Sequence, residues 1–487
     1  MLLVVTISAR SPIDADVWWH IRSGETTLKS GSPLMVDPFS FTRNGAPWTN
    51  HSWLAQVVLF LGYDLGGYLG LGIYTAVLAV ISMALLYRLV EGPPILKAFL
   101  VIFCSAASAL IWTPRPQMFS LLLFIGLYSV LHEYRQTRKR VLWLIPILFV
   151  IWSNLHGGFP LGLILLAAYL IGEICNHLFL YPPEECLPWK DIRKIGLWSA
   201  SAIPAILLNP NGINTWLIPF QTVGVTALQN LIQEWASPDF HVLSQQVILW
   251  LFFILFISFS TAGRRMPMTD IVMPVLFTYM TFVARRNIGA FAMVTVPALS
   301  RGILYSWQTW LSKFTTDHKA YQFLRSKNLF QYAEENQNVN PKISRLLNLI
   351  IIGFLGAIAF GRLGLMTLRP VVDHFMENDY PVGAVQWLQE IPTPGNMLNE
   401  YNWGGYLIFA NPQNRVFVDG RTDLFGDDII GQWQKAVLGD PEWDTIFEEW
   451  DIHLVLLQPD RPIIALLKNN GWQMVYEDSR SILLEKK

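Results

Sequence analysis

The segment DADVWWHIRSGE, residues 14–25, places two acids, a histidine and an arginine within nine positions. If it forms a helix with Asp14 as the N-cap, Asp16 lies in the first turn and faces the same way as His20. An Asp–His pair on one helix face can act as a general base, and with Asp14 it can hold a divalent cation such as Mg²⁺ or Mn²⁺. The alternative is a capped interfacial helix whose two tryptophans are headgroup anchors.

The rest of the chain is unusually apolar. Of its 487 residues, 52% are hydrophobic and 15% are charged, whereas soluble domains carry about 25% charged residues. The net charge of −1 gives no reason to expect a nucleic-acid partner. Neither a P-loop nor a G-x-G-x-x-G motif is found, so no nucleotide cofactor is expected. The three cysteines lack metal-ligand spacing and predict no disulfide framework. The composition indicates an integral membrane protein.

Apolar stretches of span length run through residues 1–366. A bilayer takes about 20 residues per helix, and we predict ten spans, at 70–88, 96–112, 117–133, 141–154, 160–178, 194–208, 246–262, 268–284, 288–303 and 346–366. A separate amphipathic helix in the interface plane is predicted at residues 49–65. It lies between the first polar segment and the first span. The fold class is therefore mainly α, a transmembrane bundle of about 10–11 spans.

Basic residues follow alternate spans and orient the bundle. If all ten spans alternate, four basic groups share one side: Arg135, Arg138, Lys139 and Arg140; Lys190, Arg193 and Lys194; Arg264 and Arg265; and Lys313, Lys319, Arg325, Lys327, Lys342 and Arg345. The positive-inside rule makes that side cytoplasmic, in an inner or plasma membrane. The polar motifs then share the other side: the first external loop 14–69, TPRPQ (113–117), SNLHGGF (153–159), NPNG (209–212), EWASPDF (234–240), ARRN (284–287) and the tail 367–487.

The start of the chain fits this topology incompletely. A span should precede the first external loop, but MLLVVTISARSPI offers thirteen residues and contains Arg10. A cleaved signal peptide fits poorly, because there is no basic n-region. Two explanations stay open: the chain start is truncated, or the first helix enters the membrane only partway.

The tail, residues 367–487, changes character and predicts a small extracytoplasmic α/β domain. Strands are expected at NMLNEY (396–401), GYLIFA (405–410), RVFVDG (415–420) and IHLVLLQ (452–458), and helices at 380–391, 427–438 and 461–471. Polar residues at strand ends often bind ligands, so five residues could contact an acceptor: Asn399, Glu400, Asp419, Arg421 and Asp423. The alternative is that these residues only make turns.

Taken together, these motifs resemble the polyprenyl-phosphate-dependent glycosyltransferases of the GT-C fold. The D-x-D…H-x-R pattern, an interfacial helix after it, N-x-H-G-G at 154–158 and NEYNWGGYLIF…RVFVDGRTDLF in the tail carry the resemblance. This group of proteins includes the oligosaccharyltransferase catalytic subunit, the protein O-mannosyltransferases, the aminoarabinose transferase and bacterial membrane proteins of this class. Two features depart from the pattern: the first span is cut short, and no WWDYG motif appears in the C-terminal part.

The resemblance implies a role for each group of residues. Asp14, Asp16 and His20 would be catalytic or metal-binding. Guanidinium and other donors suit the donor phosphate, and the candidates are Arg22, Arg115, Asn154, His156, Arg285 and Arg286. Acceptor binding would fall to His51, Glu234, Asp239, Asn399, Glu400, Asp419 and Arg421. Alternatives stay open: the arginines could snorkel or pair with Glu234 or Asp239, and Asp239 could cap a turn.

The expected function is transfer of a sugar from a polyprenyl-(di)phosphate donor to an extracytoplasmic glycan, lipid or protein acceptor, beside membrane lipid. The rivals are a transporter or flippase and a non-catalytic membrane scaffold. Transporters place ionisable residues at mid-membrane, whereas here the polar motifs sit at one face. The enzyme hypothesis requires Asp14, Asp16, His20 and at least one of Arg115, Arg285 and Arg286 to converge on one cavity.

Overall fold

The computed structural model describes residues 1–179, 186–224, 233–263, 265–312, 341–391 and 395–486. Five of the basic residues used to orient the bundle lie outside these ranges: Arg264, Lys313, Lys319, Arg325 and Lys327.

Each of the ten predicted spans coincides with a helix. Two short helices, α1 (Leu2–Ser8) and α2 (Val17–Ser30), come first. The next eleven are α3 (Trp53–Leu89), α4 (Pro94–Ser108), α5 (Gln117–Thr137), α6 (Leu144–Leu155), α7 (Pro160–Leu178), α8 (Trp189–Ala205), α9 (Ile218–Gly224), α10 (Val247–Thr261), α11 (Met268–Val283), α12 (Ile288–Ser312) and α13 (Pro341–Thr367). Within the described ranges, six helical segments are long and apolar enough to cross a membrane, and α6 and α11 are shorter apolar helices. The chain is a multi-pass membrane protein.

A sharp bend divides α3 into the separate helix that the sequence predicts and the first span. At Gly67 the backbone has φ 54° and ψ −136°, a conformation that side chains strongly disfavour. The helix folds back so tightly that a Cβ on Gly70 would lie 1.8 Å from the carbonyl oxygen of Gly62. The bend lets residues 53–66 pack along α2 while residues 68–89 enter the bundle.

Helix α2 begins two residues later than predicted. Its N-cap is Asp16, and Asp14 instead accepts a hydrogen bond from the Asp16 backbone N–H at 3.0 Å. The N-cap prediction for Asp14 is therefore wrong, because its carboxylate closes a turn before the helix. The two tryptophans are not headgroup anchors either. Trp18 is fully buried and Trp19 is 6% exposed, and Trp18 lies edge-on to rings of α3 and the tail, with Tyr406 at 5.8 Å.

The short helix α1 packs beside α13 and is tied to the bundle by arginines. Arg362 donates to the carbonyl of Ala9 at 3.1 Å, and Arg10 donates to the carbonyl of Ala109 at 2.7 Å. These bonds satisfy the backbone where α1 ends and lead the chain directly into the first polar segment.

The tail forms the small α/β unit that the sequence predicts, with a different strand assignment. Its helices are α14 (Arg369–Asp379), α15 (Val382–Glu390), α16 (Gly404–Ala410), α17 (Thr422–Leu438), α18 (Trp443–Glu449) and α19 (Pro462–Asn469). Its strands are β1 (Asn396–Asn399), β2 (Ile452–Leu457), β3 (Gln473–Glu477) and β4 (Ile482–Glu485). The sheet order is β1-β2-β4-β3, with β1 and β2 parallel and the other pairs antiparallel.

Two predicted strands are wrong. GYLIFA lies in helix α16, because its apolar run packs on α2, and a short apolar run does not distinguish helix from strand. RVFVDG is not a strand either; within it Val416 makes isolated bridges to Ser40 and Met397. The strands β3 and β4 at the C-terminal end were not predicted.

A buried ion triad fastens the tail to the first external loop. Arg421 donates to Asp37 at 2.6 Å and to Asp419 at 2.6 Å, and all three side chains are fully buried. Thr42 adds a hydrogen bond to the carbonyl of Phe417 at 2.6 Å. Removing one partner of such a group typically costs about 3–5 kcal/mol. The triad therefore holds residues 419–423 in a fixed position beside the start of α2.

Candidate functional site

Segments from eight parts of the sequence meet around one cavity of about 360 Å³. They are the start of α2, the turn before α3, TPRPQ, HGG, the start of α9, the residues around Glu234, those around Arg286, and the tail turn 420–423. Its charged and imidazole-bearing lining residues are Asp16, His20, His51, Arg115, His156, Glu234, Arg286, Arg421 and Asp423. All these segments belong to the side on which the sequence analysis collects the polar motifs.

Arg115 lies at the centre of an acidic cluster. Its Nη1 atom is 3.4 Å from Asp14 Oδ1, 3.4 Å from Asp16 Oδ2 and 3.2 Å from Glu234 Oε1. A second bond, from Nη2 to Glu234 Oε2 at 3.3 Å, makes the Glu234 contact bidentate. Although burial works to lower the pKa of Arg115, the three carboxylates raise it above its ordinary value. One guanidinium therefore neutralises only part of the charge of three acids.

Asp16 is closely surrounded. Its Oδ1 accepts from Trp19 Nε1 at 3.1 Å, and a Cβ on Gly420 would lie 1.9 Å from the same oxygen. Only a glycine allows the tail backbone to approach this carboxylate so closely. Burial raises the pKa of Asp16 to about 6, against the opposing effect of Arg115. The side chain can thus take up or release a proton near neutral pH.

His20 is oriented by a buried amide network. Asn50 Oδ1 accepts from the Ser52 N–H at 3.3 Å and from Gln56 Nε2 at 2.9 Å, which fixes the orientation of both amides. Gln56 Nε2 then faces His20 Nδ1 at 3.5 Å as a donor. The proton of a neutral His20 is therefore on Nε2. Burial lowers the pKa of His20 well below its ordinary value, so the ring is neutral.

His156, from the HGG motif, has the same tautomer. Its Nδ1 accepts from the Gly158 N–H at 3.1 Å, and Ser120 Oγ lies 2.7 Å from the same atom. Ser120 itself accepts from Trp152 Nε1 at 2.7 Å, which leaves its hydroxyl proton for His156. Burial lowers the pKa of His156 well below its ordinary value. His156 is therefore neutral, with Nε2–H as its remaining donor.

Glu234 and Arg286 form the opposite wall. Arg286 lies over the ring of Trp235, 4.3 Å from its centroid, and within the described residues it makes no hydrogen bond or ion pair. Burial works to raise the pKa of Glu234, but Arg115 and Arg286 outweigh it and lower that pKa. The Arg286 guanidinium, partly desolvated and without a bonded carboxylate, is well suited to accept an anionic ligand.

His51 and Asp423 face each other across the edge of the cavity. His51 Nδ1 lies 4.0 Å from Asp423 Oδ2, is buried, and has no partner in hydrogen-bond geometry among the described residues. Burial lowers the pKa of His51, although Asp423 and the backbone of Thr49 oppose this. His51 does not cap α3, whose N-cap is Ser52.

Five of the predicted residues on the bundle side do not reach the cavity lining. Asp14 contacts the lining residue Arg115 but does not itself line the cavity. Arg22 pairs with Glu25 at 2.6 Å and lines a separate groove. Asn154 accepts from Trp53 Nε1 at 2.9 Å and donates to two backbone carbonyls. Asp239 accepts from the His241 N–H at 2.9 Å, which is the turn-capping alternative. Arg285 precedes the lining residue Arg286, and its backbone N–H donates to the carbonyl of Ala236 at 3.0 Å.

In the tail, the predicted acceptor residues divide into two groups. Arg421 lines the cavity but is held in the buried triad with Asp419. Asn399 is fully buried and bonds the carbonyl of Val418 and the N–H of Phe417 at 2.8 Å each. Glu400 is 2% exposed and pairs with Arg461. The structure gives Asn399, Glu400 and Asp419 contacts that stabilise the tail, and none of the three lines the cavity.

The sequence analysis missed several residues of the site. Asp37 is the second acid of the Arg421 triad, and it lies in a Pro-rich turn that reads only as a loop. Trp235, Gln117 and Thr422 line the cavity, and Ser120 sets the tautomer of His156. The available hint was proximity in sequence. Trp235, Gln117 and Thr422 lie within two positions of Glu234, Arg115 and Arg421, which the sequence had already singled out.

The proposed metal ligands do not surround a common point. Asp14 and Asp16 both point to Arg115, and His20 is turned toward Gln56. Among the described residues, no group of three or more His, Cys, Asp or Glu side chains is arranged to hold a metal ion. In this arrangement the Arg115 guanidinium is the cation between the acids.

Comparison with known proteins identifies the fold of the chain. No profile of a protein family matches the sequence, and no curated protein matches it. Among solved structures, the apo oligosaccharyltransferase of Archaeoglobus fulgidus is similar over 93% of this chain and 69% of its own, with a TM-score of 0.54 and 11% identity. The chain has the GT-C fold. ArnT from Cupriavidus metallidurans, solved bound to undecaprenyl phosphate, aligns over 99% of this chain and 95% of its own, with a TM-score of 0.46 and 13% identity. At these identities the likeness concerns the fold, and function has to be argued from the site.

Proposed function

We propose that this GT-C-fold protein is a glycosyltransferase that moves a sugar from a polyprenyl-phosphate donor to an acceptor outside the cytoplasm. In this proposal Asp14 and Asp16 act as general base or cation ligands. Residues 1–366 would be the transmembrane domain, and residues 367–487 would be an extracytoplasmic domain that closes the site.

The observation that carries the proposal is the convergence of acids and guanidinium groups at one cavity, which Asp16, Glu234, Arg115 and Arg286 line and which Asp14 adjoins through its contact with Arg115. Asp14, Asp16 and Glu234 come from the first external loop and from the segment before α10, yet Arg115 contacts all three. Arg286 interacts electrostatically with Glu234 and, within the described part of the chain, has no bonded carboxylate. Sugar transfer from a phosphate needs both charges: positive groups stabilise the departing phosphate, and a basic group accepts the proton of the acceptor.

The donor phosphate is assigned to Arg286, to Arg115 and to the Nε2–H of His156. Arg286 makes no ion pair with any described residue, and His156 is a neutral donor. A phosphate that binds Arg115 would compete with the three carboxylates there. Arg22, Arg285 and Asn154, which lie outside the lining, would contribute less. The acceptor is assigned to the side of His51, Glu234 and Asp423, beside the tail.

A release assay tests the proposal. The full chain is reconstituted in lipid vesicles with radiolabelled undecaprenyl-phosphate mannose, glucose or aminoarabinose, and a bacterial membrane fraction supplies the acceptor. Transfer separates the labelled sugar from its lipid and releases undecaprenyl phosphate. We expect acceptor-dependent release by the wild-type protein and a loss of about 10²-fold or more in Asp14→Ala and Asp16→Ala. Each reaction is run with Mg²⁺ or Mn²⁺ and with chelator.

Asp64→Ala is the matched control, because Asp64 is an exposed acid on α3 away from the cavity. Unchanged release in both Asp14→Ala and Asp16→Ala would remove these acids from the mechanism. Movement of the intact lipid-linked sugar across the vesicle, without release from its lipid, would identify a flippase and contradict the enzyme hypothesis.

A further inference from the structure

We propose that His51 is the general base that takes the proton from the acceptor hydroxyl, and that Asp423 from the tail orients it. This inference rests on the proposed function and selects one base among the acidic and imidazole groups of the cavity. It gives the tail a direct part in the reaction.

The geometry of the pair is that of a carboxylate–imidazole dyad just short of contact. His51 Nδ1 and Asp423 Oδ2 are 4.0 Å apart, and Nδ1 is a buried nitrogen for which the described part of the chain supplies no hydrogen-bond partner. Within the described residues, Asp423 makes no hydrogen bond and no other ion pair. A shift of about 1 Å would bring the two atoms within hydrogen-bond distance. The ring would then carry its proton on Nδ1 and present Nε2 as an acceptor.

The other two histidines of the cavity have the opposite tautomer. His20 Nδ1 faces the amide donor of Gln56, and His156 Nδ1 accepts from the Gly158 N–H. Their Nε2 atoms carry the proton while the rings are neutral, so they can donate to a ligand but cannot accept from one. Among the three rings, His51 is the one whose Nδ1 has no hydrogen-bond partner within the described residues, so it is the ring that can carry its proton on Nδ1 toward Asp423 and use Nε2 as the acceptor.

The acids of the first external loop are less suited to this role. Asp14 and Asp16 share Arg115 with Glu234, and Asp16 also accepts from Trp19. Although burial raises the pKa of Asp16 to about 6, its Oδ1 accepts from Trp19 and its Oδ2 faces Arg115, so both of its oxygens are already engaged. Asp423 lies outside this cluster, and the His51 side chain, 23% exposed, lines the cavity.

The tail fixes Asp423 where His51 can use it. Asp423 stands in the first turn of α17, two residues after Arg421. Arg421 is anchored to Asp37 and Asp419 in the buried triad, and Thr422 N bonds the carbonyl of Gly420 at 3.0 Å. The carboxylate is therefore supplied from a rigid turn.

The proposed step moves one proton and exchanges one bond at the anomeric carbon. His51 Nε2 takes the acceptor O–H proton as the oxygen forms its bond to the anomeric carbon. The bond between that carbon and the phosphate oxygen breaks, and its electron pair leaves with the polyprenyl phosphate. Asp423 stabilises the imidazolium meanwhile. The imidazolium then gives its proton to the departing phosphate or to water, which restores neutral His51.

A double-mutant cycle tests the dyad in the release assay. We expect His51→Ala to lower kcat by about 10²–10⁴-fold, the range of a general base, with KM changed by less than about 3-fold. Added imidazole should restore part of the activity of His51→Ala. Asp423→Asn should lower kcat less, and the double variant should match His51→Ala alone, because the two residues act as a unit. His51→Gln and Asp423→Glu repeat the cycle with better-conserved volumes.

The controls are His241→Ala, an exposed histidine, and Asp444→Asn, a first-turn acid of α18 away from the cavity. Effects that multiply in the double variant, a rise in KM with unchanged kcat, or no imidazole rescue would each overturn the dyad. A wild-type protein that releases no lipid phosphate refutes the proposed function itself. The dyad is judged on the variants of an active protein, so the two failures are distinguishable.

Discussion

Two polar clusters lie at opposite ends of the bundle, and they differ in how their acidic and basic side chains are paired. Helix α5 runs from Gln117 at the candidate site to Gln136 at the second cluster, a length of about 28 Å at 1.5 Å per residue. The second cluster, here the basic-side cluster, surrounds a cavity of about 180 Å³. Its ion pairs are Asp270 with Arg301, Glu91 with Arg301 and Glu173 with Arg135.

The difference lies in how the charges are matched. In the basic-side cluster every named carboxylate is in direct contact with an arginine: Arg301 pairs with both Asp270 and Glu91, and Arg135 pairs with Glu173. Asp270 is 2% exposed beneath Arg301. In the candidate site three carboxylates share Arg115, while among the residues that the structure describes Arg286 has no bonded acid and His51 Nδ1 has no hydrogen-bond partner. Matched pairs stabilise packing between helices, whereas unmatched charge leaves groups available to a ligand. The contrast therefore separates structural from functional polarity within one chain.

The sharpest test of the contrast is to remove the central arginine of the candidate site. Arg115→Ala leaves three neighbouring carboxylates without their shared cation and removes a hydrogen-bond donor to the phosphate. We expect kcat/KM for lipid-phosphate release to fall by about 10³-fold, near the upper end for a lost transition-state donor. Arg115→Lys should retain part of the activity, and Arg88→Ala, an exposed arginine on α3, should retain all of it. Full activity in Arg115→Ala would contradict the assignment.

The equivalent change in the basic-side cluster should act on stability. Arg301→Ala leaves Asp270 buried without its partner, at a cost of about 3–5 kcal/mol. Thermal unfolding in detergent should show a lower Tm, while the activity per folded molecule stays unchanged. Replacing both partners, as Arg301→Met with Asp270→Leu, should recover much of the loss. A drop in kcat without a drop in Tm would show that this cluster is functional.

The close approach of the tail to Asp16 offers a smaller perturbation. A Cβ in Gly420→Ala would lie 1.9 Å from Asp16 Oδ1, so the carboxylate or the tail turn must move. Displacements of about 1 Å at a reacting group can cost about 10²-fold in rate. Gly431→Ala, in α17 with open space around its Cα, is the control. Equal activities of the two variants would show that the tail does not shape the site.

The smallest expected effect is on the pH profile. Burial raises the pKa of Asp16 to about 6. If the ionised form is needed, activity should rise by about 10-fold between pH 5 and pH 7, and Asp16→Asn should flatten that step. Stability should move the other way: a raised folded-state pKa favours the protonated form, so Asp16 contributes most stability below its unfolded pKa and loses it as pH rises to about 6. A wild-type profile without the step would exclude this role.

The helices were predictable because their cause is local. Ten apolar stretches gave ten helices, since a lipid-facing backbone has to satisfy its own hydrogen bonds. The tail helices at 382–390, 422–438 and 462–469 follow from amphipathic spacing. GYLIFA could not be assigned in this way, because packing on Trp18 of α2 decides its conformation. The start of α2 at Val17, after the turn closed by Asp14, was equally beyond the local pattern.

Of the site, the sequence determined which residue types gather on one membrane face, because hydropathy and the placement of basic residues sort segments by side. It could not determine which of those side chains meet. Arg115 contacts three acids and Arg22 contacts none of these three, although the sequence made both arginines equal candidates. Only the tertiary structure brings Gly420 against Asp16 and Asp423 toward His51, because contacts between positions hundreds of residues apart depend on packing and on the buried Asp37–Arg421–Asp419 triad.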